Sequence, residues 1–98
     1  MNTKNFTMED ARRTLMNYNT AVERAGKNLN PKILSVNDDN TVDWIYFDSK
    51  QHSKIDIVNG LVFLEFSKVS GIIEEVNGII EEGGGIFIIP EHIEKYLK

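Results

Sequence analysis

The sequence predicts a single α+β domain: an antiparallel meander of four to five strands packed by helices, in the order α-β-β-β-β-α-β-α. Three observations carry this. From Met8 to Ala25 the apolar residues recur at helical spacing. From Lys32 to Phe66, runs of β-branched and aromatic residues alternate with short polar turns. Within that stretch Asn59-Gly60 separates two such runs by two residues, the strongest local hairpin signal. Sequential strands with short links favour antiparallel neighbours. The chain of 98 residues is the size of one domain, taken as 1–98, with the polar residues 1–5 expected to be flexible.

The first helix has its start written into the sequence. Thr7 and Asp10 form a capping-box pair, and Phe6 before the cap can staple onto Ala11. Met8, Ala11, Leu15, Tyr18, Val22 and Ala25 form one apolar stripe, and Gly26 ends it. Glu9 and Asp10 lie at the positive end of the helix dipole, Arg24 and Lys27 at the negative end.

Asn28 to Pro31 reads as a loop and Lys32 to Val36 as a strand. Asn37 to Asn40 is a turn, because Asn and Asp side chains satisfy local backbone groups. Thr41 to Asp48 is a second strand and Ser49 to Ser53 a polar connection. The hairpin around Asn59-Gly60 sets Val58 opposite Leu61, Ile57 opposite Val62, Ile55 opposite Leu64 and Lys54 opposite Glu65.

Residues 71–75 and 78–82 both read Gly-Ile-Ile-Glu-Glu. A hairpin at Asn77-Gly78 would set Glu74 opposite Glu81, a like-charge pair. A helix over 69–82 instead gathers Val69, Ile72, Ile73, Val76, Ile79 and Ile80 on one stripe and leaves Glu74, Glu75, Glu81 and Glu82 on a solvated face. The helix is the reading adopted. Gly83 to Gly85 is then a flexible link, Ile86 to Ile89 a short strand, and Pro90 opens a short last helix.

Composition narrows function more by exclusion than by signature. Without cysteine there are no disulfides, thiolate metal sites or cysteine nucleophiles, which fits a reducing, cytoplasmic setting. No apolar run reaches the ~20 residues of a membrane span. Twelve isoleucines and ten asparagines point to an AT-rich genome such as that of a low-GC bacterium or its phage. No phosphate loop, dinucleotide fingerprint or metalloprotease pattern occurs, so no catalytic residue, metal ligand or cofactor is assigned. Ser49 and Ser53 flank His52, but sequence neighbours do not make a triad.

The net charge of −4 is unevenly spread: +3 over residues 1–32, −4 over 33–66 and −3 over 67–98. The strands are apolar on both faces, with Ile55, Ile57, Val62, Leu64 and Phe66 on one side and Val58, Leu61 and Phe63 on the other. A meander with one wet face alternates more cleanly. The expectation is a non-enzymatic protein-binding module, a small regulator or inhibitor acting on a protein partner or on a second copy of itself. The residues assigned to that role are Glu74, Glu75, Glu81, Glu82, Trp44, Tyr46 and Phe63. One alternative is a ligand pocket lined by Trp44, Tyr46 and His52; the other is a nucleic-acid accessory protein using the basic first helix, disfavoured by a pI near 5.1.

Overall fold

The computed structural model describes residues 5–66, 75–76 and 79–98. Its elements are α1 (Met8–Arg24), β1 (Lys32–Val36), β2 (Thr41–Tyr46), β3 (Ser49–Lys54), β4 (Asp56–Val58), β5 (Leu61–Glu65), β6 (Glu75–Val76), β7 (Ile79–Glu82), β8 (Gly85–Ile88) and α2 (Pro90–Glu94). The α+β class and the antiparallel pairing are as expected. The strands form two sheets, however: one of three strands in the order β1-β2-β3 and one of five in the order β4-β5-β8-β7-β6. No helix among the described residues is long and apolar enough to cross a membrane.

Helix α1 begins at the expected capping box. The Thr7 hydroxyl accepts from the Asp10 backbone N–H at 3.2 Å, and the Asp10 carboxylate accepts from the Thr7 N–H at 2.9 Å. Ala11, Leu15, Tyr18, Ala21 and Val22 are buried, and they meet Ile33, Val42 and Trp44 of the three-stranded sheet and Val62, Leu64, Ile86 and Ile88 of the five-stranded sheet in one core. Asn19 closes the free edge of β1. Its side chain accepts from the Ile33 N–H at 3.0 Å and donates to the Ile33 carbonyl at 2.7 Å, as a neighbouring strand would.

The presumed polar connection at 49–53 is strand β3, paired along its length with β2 from Tyr46↔Ser49 to Thr41↔Lys54. Its inward residues are polar: Gln51 and Ser53 are buried while Lys50, His52 and Lys54 are exposed. Ser53 joins the two sheets. Its hydroxyl accepts from the Trp44 indole N–H at 2.9 Å and donates to the Glu65 carbonyl of β5.

The hairpin at Asn59-Gly60 forms with Val58 opposite Leu61 and Ile57 opposite Val62. Both turn residues have positive φ, 52° and 78°, as a type I′ turn requires. The pairing stops short of the expected length. Lys54 belongs to β3 opposite Thr41, so it does not face Glu65, and the buried Ile55 is the joint between the sheets, its N–H held by the Asn40 carbonyl.

The helix expected over 69–82 is corrected where the structure describes it. Glu75–Val76 and Ile79–Glu82 are strands, with Val76 opposite Ile79 and Glu75 opposite Ile80; residues 69–74, 77 and 78 lie outside the described residues. The physical reason is non-local. Gly83 and Gly84, at φ 60° and 84°, make a two-residue turn that lays Ile79–Glu82 along β8. The glycines read as a flexible link are therefore a hairpin turn. Strand alternation also divides the acidic group: Glu81 is buried and Glu82 exposed, so no shared glutamate face exists there.

Candidate functional site

Register fixes what each face of the five-stranded sheet carries. Val62, Leu64, Ile79, Glu81, Ile86 and Ile88 are buried on the face that shares the core with α1. The far face carries Val58, Leu61, Phe63, Ile80 and Phe87, all half-buried. The half-buried side chains that pack on the core are others, such as Phe6, Met8, Ile57 and Leu97, so these five form a separate apolar layer.

One rung crosses that layer. Asp56 pairs with Phe63, Phe63 with Phe87, and Phe87 with Ile80, whose other neighbour in register is the backbone of Glu75. The rings of Phe63 and Phe87 lie 4.7 Å apart at their centroids. The next rung runs Glu65, Gly85, Glu82, with glycine on the central strand. A Cβ on Gly85 would lie 2.3 Å from Phe63 Cε1, so the aromatic ring occupies the place of the missing side chain. Asp56, Glu65 and Glu82 are exposed on this face and take part in none of the ion pairs among the described residues. The result is an apolar centre with an acidic rim.

The residues assigned to partner binding from sequence are not brought together. Phe63 lies in the apolar layer and Glu82 on its rim. Trp44 is 0% exposed, a core residue bonded to Ser53. Tyr46 is half-buried, packed at 6.0 Å on Trp44 and 5.5 Å on Phe66. Glu81 is 4% exposed and points into the core, where its Oε1 has no hydrogen-bond partner. Glu75 contributes its backbone to β6, and Glu74 lies outside the described residues. The sequence reading assigns no binding role to Phe87, Ile80, Gly85, Glu65 or Asp56. Their signal was alternation, which becomes readable for 79–88 once those residues are known to be strands.

Other polar groups have local work. His52 Nδ1 lies 2.7 Å from Asp43 Oδ1, and Asp43 Oδ2 accepts from Ser35 at 3.1 Å and Asn37 at 3.0 Å. The bond from His52, then those from Asn37 and Ser35, hold the Asp43 carboxyl below its ordinary value. Ser53 faces away from His52 and is buried. Among the described residues no three His, Asp or Glu side chains converge to hold a metal ion. The arginines of α1 are engaged: Arg12 donates to the Asn37 carbonyl and Asn40 Oδ1, Arg13 to Asp10, and Arg24 to the Leu97 carbonyl. A cleft of about 620 Å³ lies between α1 and α2, lined by Phe6, Arg13, Asn17, Ile93 and Leu97 among others, and neither Trp44, Tyr46 nor His52 lines it. Comparison of the chain with protein-family models, with curated proteins and with solved structures finds no match to any of them.

Proposed function

We propose that the protein is a non-enzymatic protein-binding module whose docking surface is the far face of the five-stranded sheet. The observation that carries the reading is the rung Asp56–Phe63–Phe87–Ile80. Two aromatic rings in tilted contact and an isoleucine stand in line, outside the core, with a carboxylate at the end. Apolar layers rimmed by polar residues are the usual form of protein interaction sites. A few well-packed residues at their centre carry most of the binding energy, large aromatics prominent among them. The rim defines the partner: Asp56, Glu65 and Glu82 favour a protein surface bearing basic side chains around an apolar centre.

The test is photo-crosslinking in the source cells with a photoreactive phenylalanine at position 87, compared with the same group at Met16, an exposed α1 residue. A discrete adduct with another protein from position 87, absent from position 16 and lost in Ile80→Glu, is the expected result. Equal labelling at both positions, or an adduct only with a second copy of the chain, overturns it.

A further inference from the structure

We propose that the cleft between α1 and α2 holds an extended apolar segment of another protein, one residue of which pairs with the Asn17 carboxamide. The site is separate from the sheet face proposed above and does not depend on it. Its volume of about 620 Å³ falls within the range of about 300–1,000 Å³ of ordinary ligand sites. The deeper part of its lining is apolar: Pro90 and Ile93 are buried, Phe6 and Leu97 half-buried.

The polar groups on the α1 wall differ in what they have left to offer. The Asp10 carboxylate accepts from the Thr7 N–H and from Arg13, and the Thr14 hydroxyl donates to the Asp10 carbonyl at 3.0 Å. Asn17 is half-buried in the cleft and makes no hydrogen bond to any described residue. Its carboxamide carries a donor and an acceptor side by side. The same helix shows what such a group holds. Asn19 accepts from the N–H of Ile33 and donates to the carbonyl of Ile33, while the Ile33 side chain is buried in the core. One carboxamide thus matches the N–H and C=O of one extended residue. A single trans peptide group makes no such match, because its N–H and C=O point opposite ways. Asn17, about 200° round the helix from Asn19, offers the same pair to the cleft. A residue paired there would set its side chain on the apolar lining. The exposed charges at the mouth, Glu94 and Lys98, are of opposite sign, so the apolar lining and the carboxamide do the selecting.

The test uses the whole chain and the smallest probe with these features. N-acetyl-leucine methylamide is titrated against ¹⁵N-labelled protein. Saturable shifts are expected at Asn17, its side-chain NH₂ included, and at Ile93 and Leu97. The analogue methylated on the leucine nitrogen lacks the donor and should bind about fivefold more weakly. N-acetyl-alanine methylamide lacks the large side chain and should bind about tenfold more weakly. Asn17→Ala should weaken the leucine probe about fivefold. This substitution suits a helix and removes no bond within the fold, and Trp44 fluorescence confirms that the variant is folded. Thr20→Ala, exposed on α1 and outside the cleft, should leave binding unchanged. No shifts up to the solubility of the probe, or shifts away from the cleft, overturn the proposal. So does equal binding of either analogue or of Asn17→Ala. Shifts of the same amides with protein concentration alone would place a second copy of the chain there and also overturn it.

Discussion

The Phe63 ring rests on the backbone of Gly85, where a Cβ would fall 2.3 Å from Phe63 Cε1 and 2.9 Å from the Leu64 carbonyl oxygen. Gly85→Ala should therefore destabilise the fold by about 1–3 kcal/mol through overpacking, measured by urea unfolding. In the background of Phe63→Ala the same substitution should cost less, because the ring is the first thing it meets. Equal costs in the two backgrounds would show that the ring does not lie there.

The hydroxyl of Ser53 bonds to one group in each sheet, the Trp44 indole and the Glu65 carbonyl. Ser53→Ala leaves a buried indole N–H without a partner. The expected loss is about 1–3 kcal/mol of stability. Trp44, the single tryptophan, reports the change by its fluorescence. A variant as stable as the parent would mean that the two sheets are not joined through this hydroxyl.

Glu81 is the reverse case, a substitution expected to help. Its carboxylate is buried on the core face with Oε1 unpartnered, in register with Ile86. Glu81→Leu should raise stability by about 1–3 kcal/mol, since a buried polar group without a hydrogen bond costs more than a hydrocarbon. Glu81→Gln keeps the shape and removes the charge, and should fall between the two. A destabilised leucine variant would reveal a partner for this carboxylate.

Three aspartates contribute to the acid limb. Asp10 is held low by the Thr7 N–H and then Arg13, Asp39 by the Thr41 hydroxyl, and Asp43 by His52, Asn37 and Ser35. Each favours the folded state when ionised. Their contribution is present above the ordinary value of 3.8 and is lost as the pH falls through the lowered values. Burial, and secondarily Tyr46, pushes the Tyr18 phenol up, so its contribution is present below the ordinary 10.0 and lost as the pH rises beyond it. Carboxyl NMR titration should find Asp43 below 3.8 and moving up in Asn37→Ala. An unmoved Asp43 would mean that Asn37 does not hold it.

What the sequence makes legible here is what short-range chemistry decides. Thr7 with Asp10, and Asn59 with Gly60, specify a cap and a turn from within a few residues, and both are found. Strand β3 was hidden because its buried positions are Gln51 and Ser53, which leave no apolar alternation. Ile79–Glu82 reads as helix from sequence because paired isoleucines suit a helical stripe as well as a strand. What decides between them is β8, which lies beyond the Gly83-Gly84 turn. The far face of the five-stranded sheet is affected in the same way: alternation shows Phe63 as outward, but its neighbours Phe87 and Ile80 join it only through strand pairing. Trp44 lies in the core for a simpler reason, since an aromatic ring in a strand is a core residue as readily as a surface one.

The order β4-β5-β8-β7-β6 places the last strand of the chain in the middle of its sheet. During vectorial synthesis β5 therefore emerges with one flank open, and it waits for residues 85–88 before that flank is closed. Until then Val62 and Leu64, 0% exposed in the finished fold, have no β8 beside them. Helix α1 is made first yet can complete its packing only when this central strand arrives. The five-stranded sheet is therefore complete only once Gly85–Ile88 has been made, and the strand edges open until then are the kind of surface on which unfinished chains associate.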